Sequence, residues 1–132
     1  MGKNKIKKSV AMAMAATILV GAMGANTAFA ESQSAGGYGT LKGTLSGSST
    51  SGTGKTTITQ NPDNANVTLA IDLKNSSGSN VVATKYKSAR GVTSVKQDWS
   101  TNMKGITCAY GAHGVQGGSK YKAYAVYTYS SL

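Results

Sequence analysis

The chain has one cysteine, Cys108, and one histidine, His113, among its 132 residues. A single cysteine cannot close an intramolecular disulfide, and one thiol with one imidazole falls short of a zinc ligand set. Acidic residues are also scarce, with four against 14 basic ones. This scarcity argues against the paired carboxylates of a glycosidase and against a calcium site. The sequence therefore predicts no metal, no cofactor and no catalytic residue.

Familiar catalytic and nucleotide-binding patterns are incomplete in this chain. A Ser–His–Asp hydrolase would need a Gly-x-Ser-x-Gly elbow, which the sequence lacks. Cys108 and His113 have suitable chemistry, but their odd spacing along a strand turns the two side chains to opposite faces. Gly54-Lys55-Thr56 resembles the end of a phosphate-binding loop, yet Ser49 occupies the position of its first glycine. We expect a non-enzymatic protein that binds no nucleotide, with Cys108 as a small apolar filler.

Only one long hydrophobic run is present, and it lies near the N-terminus. Four lysines within the first eight residues precede an apolar stretch from Val10 to about Met23. Ala28-Phe29-Ala30 then supplies the small-x-small pattern of a signal peptidase site. The run is too short and too rich in Ala and Gly for a comfortable membrane-spanning helix. Residues 1–30 are therefore predicted to be a secretory signal peptide, with no transmembrane segment in the mature chain and an extracellular destination.

The remaining chain keeps a clear excess of positive charge. The full sequence has a net charge of +10, and the four lysines of the signal segment account for +4 of it, which leaves +6. Such a balance favours anionic partners outside the cell, such as cell-surface polymers or lipid headgroups. The basic residues are spread along the sequence without a run of three. The charge therefore indicates a class of partner and does not locate a site.

Apolar residues alternate with polar ones through most of the chain, which is typical of half-buried β-strands. The clearest case places Val67, Leu69, Ile71 and Leu73 on one face. This pattern predicts a single all-β domain over residues 38–132, a small antiparallel sandwich of about seven strands or, alternatively, a small barrel. Residues 31–37 are expected to be a flexible leader. The predicted strands are 38–45, 55–60, 67–74, 80–88, 92–100, 106–110 and 121–129, with a mobile loop at 46–54 and a glycine-rich bend at 111–118.

Tyrosine and lysine alternate near the C-terminus and form the candidate binding site. Lys120, Lys122 and Tyr124 share one parity of the predicted last strand, so they should project from the same face. Exposed Tyr and Lys side chains can stack on rings and hold anionic groups. The opposite parity, which includes Ala123 and Ala125, is expected to pack on the second sheet. An alternative is that the tyrosines replace phenylalanine in the core.

These observations favour a secreted, non-enzymatic binding or interaction protein that acts on anionic partners at a cell surface or in an extracellular matrix. The alternative is a secreted bacteriocin-like or toxin-like protein that acts on the envelope of other cells. Small exported β-sandwich bacteriocins share the general profile of a signal peptide and glycine-rich and aromatic-rich strands. That likeness is one of class and assigns no residues.

We predict that the signal peptide is removed after Ala30, because the small-x-small pattern follows an apolar run of suitable length. N-terminal sequencing of the protein from culture medium should therefore begin at Glu31. A secreted product that still carries the apolar segment would make the protein an anchored one instead.

Overall fold

The computed structural model describes residues 29–132, which form eight strands and one short 3-10 helix. The predicted signal peptide covers residues 1–30, and residues 1–28 of it lie outside the described residues. The 3-10 helix, Gly36–Tyr38, connects the first two strands. The strands are β1 (Phe29–Ser34), β2 (Thr40–Gly47), β3 (Ser51–Ile58), β4 (Asn66–Lys74), β5 (Lys85–Arg90), β6 (Ser94–Ser100), β7 (Cys108–Gln116) and β8 (Tyr124–Ser131).

The strands form two antiparallel sheets of four strands each. The first sheet has the order β1-β2-β3-β6, and the second has the order β5-β4-β7-β8. The two sheets pack face to face and do not close into a barrel. The predicted sandwich is therefore confirmed, and the barrel alternative is set aside.

The core lies between the sheets, and β4 contributes its most regular face. Val67, Leu69, Ile71 and Leu73 are each 0% exposed, as their alternation predicts. Leu41 and Leu45 on β2 meet them from the first sheet. Full burial of such side chains contributes about 1.5–3 kcal/mol each. This face of β4 therefore supplies a large share of the stabilisation in a domain with few apolar residues.

Two segments that the sequence assigned to mobile chain are strands in the structure. Residues 31–34, expected in a flexible leader, belong to β1 and pair with β2 from Thr40 to Gly43. The expected loop at 46–54 is mostly strand, because Gly47 pairs with Gly52 and only a short turn separates β2 from β3. A β-carbon on Gly52 would lie 2.2 Å from the Trp99 ring. These small residues therefore leave space for the buried indole of Trp99. From composition alone, the same residues predict a flexible loop.

The glycine-rich bend expected at 111–118 is also wrong for most of its length. Strand β7 continues through it to Gln116 and pairs with both β4 and β8. A β-carbon on Gly111 would lie 2.4 Å from the Thr128 hydroxyl and 2.7 Å from the His113 ring. Gly43 on the opposite sheet would place its β-carbon 2.3 Å from the same ring. The glycines thus allow the imidazole to fit between the sheets.

Strand β5 pairs with β4 as an antiparallel neighbour, as expected, but it begins at Lys85 instead of near residue 80. Asp72 on β4 binds the segment that precedes β5 through its side chain, where regular strand pairing is missing. Its carboxylate accepts hydrogen bonds from the Asn80 amide at 3.3 Å and from the Thr84 hydroxyl. These side-chain bonds hold residues 80–84 against β4 without a continuous ladder.

His113 lies in a buried hydrogen-bond chain that links four strands, β3, β4, β7 and β8. The Thr56 hydroxyl donates to the Thr68 carbonyl at 2.9 Å, so it accepts from Nδ1 of His113, 3.0 Å away. A neutral ring with its proton on Nδ1 must then accept at Nε2, where the Thr128 hydroxyl lies 2.7 Å away. Desolvation by burial lowers the pKa of His113 from 6.5 to about 4, against a weaker opposing hydrogen bond with the Lys55 backbone.

The depressed pKa makes stability depend on pH. Between pH 4 and 6.5 the unfolded chain binds a proton at residue 113 and the folded protein does not. The free energy of unfolding therefore rises with pH through this window, by roughly 3 kcal/mol in total, and falls as the pH is lowered.

Chemical denaturation at pH 7 and pH 4.5 should show this loss, and the His113→Gln variant should show a much flatter dependence. Because the chain has one histidine, no other imidazole contributes. NMR titration of the wild-type ring provides a check that does not require the variant to fold. An imidazole that protonates near pH 6.5 in the folded protein would contradict this prediction.

Candidate functional site

The connection between β7 and β8, residues 117–123, carries two of the three predicted site residues. We refer to it as the β7–β8 loop. Gly117 begins it with a φ of 75°, a backbone conformation that favours glycine. The side chains of Lys120 and Lys122 are exposed on this loop, and Tyr124 is the first residue of β8.

Asp63, which the sequence placed only near a turn, anchors this loop. Its Oδ2 atom accepts hydrogen bonds from the backbone N–H groups of Lys120 at 3.0 Å and Tyr121 at 2.9 Å. The Tyr38 hydroxyl donates to the same oxygen at 2.9 Å. Desolvation acts to raise the pKa of Asp63, but these bonds stabilise the carboxylate more strongly, so its pKa lies below the usual value. The anchor therefore remains ionised at neutral pH.

Tyr38 links the anchor to an aromatic cluster. The residue is 0% exposed, and burial together with the hydrogen bond to Asp63 raises its pKa to about 12. Its ring makes edge-to-face contacts with Tyr121, at a centroid distance of 5.4 Å, and with Tyr124, at 6.4 Å. Such geometry is favoured between aromatic rings. The same buried tyrosine thus contacts the second half of the β7–β8 loop and the first residue of β8.

Each loop lysine lies against a ring of this cluster. The Lys122 ammonium is 5.5 Å from the centroid of Tyr124, and the Lys120 ammonium is 5.7 Å from that of Tyr121. Both distances fall within the range of cation–π attraction. The structure therefore brings Lys122 and Tyr124 together, whereas Lys120 has Tyr121 as its aromatic neighbour.

The expected orientation of Tyr124 is wrong. Its ring packs against the core, and its hydroxyl reaches the 3-10 helix, where a β-carbon on Gly36 would lie 2.7 Å away. The reason is that the parity of Val126, Thr128 and Ser130 is the one that packs between the sheets, whereas the sequence analysis assigned that role to the parity of Ala123 and Ala125. Tyr124 shares their parity and is half-buried. It supports Lys122 from below and does not present a free stacking face.

Arg90 is a cation near this loop that the sequence analysis did not select. Its guanidinium donates to the carbonyl of Asn64 at 2.8 Å and to that of Gly117 at 3.2 Å. It therefore ties the end of β5 to the start of the β7–β8 loop. Its partners are more than 25 positions away in the sequence, so no local pattern could have indicated it.

The other C-terminal tyrosines form a separate group on the outer face of the second sheet. Tyr110 pairs directly with Tyr129, and their rings meet edge to face at 5.2 Å. Tyr127 lies two residues along the same face of β8, opposite Ala112. On the edge strand β5, Tyr86 is 59% exposed. The tyrosine-rich segment thus supplies both a core cluster and a surface.

Cys108 and His113, whose side-chain types could support nucleophilic catalysis, lie on opposite faces of β7. Cys108 pairs with Lys74 and Ser131 on the outer parity of β7, whereas His113 points into the core. Burial raises the pKa of the Cys108 thiol, which reduces the thiolate fraction at neutral pH. Among residues 29–132, no three His, Cys, Asp or Glu side chains lie close enough together to hold a metal ion.

Comparison with known proteins gives no matching family model, no similar curated protein and no similar solved structure. Function is therefore inferred from the geometry of this chain. Within the described residues, no helix is long and apolar enough to cross a membrane.

Replacing the anchor should release the loop. In Asp63→Ala, the backbone N–H groups of Lys120 and Tyr121 lose their acceptor. The exchange rates of these two amides should therefore increase, relative to the wild type, much more than the rates of the β7 amides do. Asp98→Ala is the matched control, since it removes one acid from an exposed position on β6. NMR-detected exchange measures both variants. Equal protection of these two amides in Asp63→Ala and in the wild type would contradict the role given to Asp63.

Proposed function

We propose that this protein is an exported, non-enzymatic binding protein for anionic polymers or lipid surfaces, and that the β7–β8 loop is one of its contact sites. The observation that carries the proposal is the pair of loop lysines held against tyrosine rings above the Asp63 anchor. The predicted signal peptide supports an extracellular destination, where such anionic partners are abundant.

The lysines are available to a ligand. Apart from the ring contacts, neither ammonium group has a hydrogen bond or ion pair within the described part of the chain. The Asp63 carboxylate forms no ion pair with either ammonium group. Its Oδ2 atom accepts from the loop backbone and from Tyr38, and its Oδ1 atom is buried without a hydrogen-bond partner among the described residues. Two unpaired cations therefore face solvent at one end of the sandwich.

The ring contacts also favour binding on entropic grounds. A free lysine side chain loses up to about 2 kcal/mol of rotamer entropy when it is immobilised. A ring that already restricts the ammonium lowers this cost at the moment of binding. The aromatic cluster is therefore expected to preorganise the two charges.

The proposal predicts weaker binding when the loop charges are removed. In Lys120→Gln/Lys122→Gln, affinity for phosphatidylglycerol vesicles should fall by roughly fivefold for each lysine, as expected for charges close to an anionic surface. Lys87→Gln/Lys104→Gln is the control, because both lysines are exposed and the change in net charge is the same. Vesicle co-sedimentation at low and physiological salt provides the measurement.

The control separates a site from a general charge effect. Equal weakening in the two double variants would mean that net charge alone drives binding, and the loop would have no special role. Tyr124→Phe should bind as the wild type does, because it keeps the ring under Lys122. Absence of wild-type binding to vesicles, cell walls and polyphosphates at low salt would overturn the proposed function.

A further inference from the structure

The outer face of the first sheet carries three lysines on three neighbouring strands. Lys55 on β3 stands directly opposite Lys96 on β6. Lys42 on β2 stands opposite Thr57, two residues along β3 from Lys55. Since neighbouring strands lie about 4.8 Å apart and residues along a strand about 3.4 Å apart, the backbone positions of the three lysines lie within about 12 Å of one another. We call this surface the lysine face.

The three ammonium groups are exposed and unneutralised. All three residues are exposed, and within residues 29–132 none of their side chains has a hydrogen bond or an ion pair. Asp98 is the acid on the outward parity of the described strands of this sheet, where it stands opposite Thr53. It makes no ion pair with the lysines. The face therefore keeps a strong local positive charge.

The Lys55–Lys96 pair is unfavourable for the fold taken alone. Like charges directly opposite each other on neighbouring strands destabilise a sheet, whereas opposite charges or Thr pairs stabilise it. Both strands have other outward positions occupied by Ser and Thr, such as Thr57 opposite Ser94. The repulsion is relieved when an anion lies between the two ammonium groups, and this points to a bound ligand.

The side chains next to the three lysines indicate the chemical class of the ligand. The lysines share two adjacent rows across the strands with hydroxyl side chains, and these rows are Thr44–Lys55–Lys96 and Lys42–Thr57–Ser94. Hydroxyls can both donate to phosphate oxygens and bond with ligand hydroxyls. In the described part of the chain, β2, β3 and β6 place no aromatic residue at an outward position. Base stacking, the usual support for single-stranded nucleic acid, is therefore missing from this face.

We propose that the lysine face binds a polyol-phosphate chain, a linear polymer of phosphodiesters and hydroxylated carbons. The phosphates lie at the three lysines, and the polyol hydroxyls contact the Ser and Thr side chains between them. This assignment rests on the proposed function and names a second, larger site for it. The two sites differ in their supports, since the loop lysines rest on tyrosine rings and the face lysines on a flat sheet.

The test uses poly(glycerol phosphate) as the probe and isothermal titration calorimetry as the measurement. The triple variant Lys42→Gln/Lys55→Gln/Lys96→Gln should bind at least about tenfold more weakly, and its salt dependence should be less steep by roughly 0.7 per lysine. The matched control is Lys85→Gln/Lys87→Gln/Lys104→Gln, which removes the same charge and should change affinity by about threefold or less. Circular dichroism confirms that both variants fold.

A stability measurement gives an independent readout. The single variant Lys96→Gln removes the like-charge pair, so its melting temperature at low salt should be equal to or above that of the wild type while its affinity falls. A melting temperature well below that of the wild type would show that Lys96 supports the fold, and would overturn the argument from repulsion.

The remaining outcomes separate this inference from the proposed function. Equal weakening in the two triple variants overturns the lysine face, while the loop proposal stands if Lys120→Gln/Lys122→Gln still weakens vesicle binding. Tighter binding to single-stranded nucleic acid than to poly(glycerol phosphate), at equal phosphate concentration, overturns the ligand class. Absence of binding to any anionic probe overturns both proposals together.

Discussion

The close approach of the two sheets at His113 is the constraint on which the rest of the structure depends. The ring lies between Gly43 and Gly111 and bonds to Thr56 and Thr128 on either side. A β-carbon at Gly43 or Gly111 would collide with the ring, and burial disfavours the protonated imidazole, so stability is expected to fall at acidic pH. The apolar face of β4 then completes a core with few large aliphatic side chains.

A second buried polar group, Asp63, connects this core to the candidate site. One carboxylate oxygen gathers the Tyr38 hydroxyl and two backbone N–H groups of the β7–β8 loop. The loop lysines are therefore positioned by buried residues, Asp63 and Tyr38, and by the tyrosine rings that pack on Tyr38. The other oxygen, Oδ1, is buried without a hydrogen-bond partner among the described residues, so the three bonds to Oδ2 must offset the cost of burying the carboxylate.

Positive charge is distributed over two surfaces with different supports. At the end of the sandwich, cations lie against aromatic rings, and on the outer face of the first sheet they stand among hydroxyls. Neither group is neutralised by an acid in the described chain. Lys55 and Lys96 repel each other across a strand pair, which does not favour the fold. The anionic ligand that we propose would relieve this repulsion.

The sequence by itself determined the all-β class, the buried face of β4 and the outward exposure of Lys120 and Lys122, because strand periodicity and charge are local properties. Sequence pattern predicted flexible chain or turns for the leader, the 46–54 loop and the glycine-rich segment, most of which are strands. In the last two, small residues are present because Trp99 and His113 pack closely against them, and their composition resembles that of flexible loops. Only the tertiary structure decided that Tyr124 faces inward, that Asp63 anchors the loop and that Lys55 opposes Lys96. Each of these features depends on strand register or on contacts between distant segments. Local sequence pattern does not encode register or long-range contacts directly.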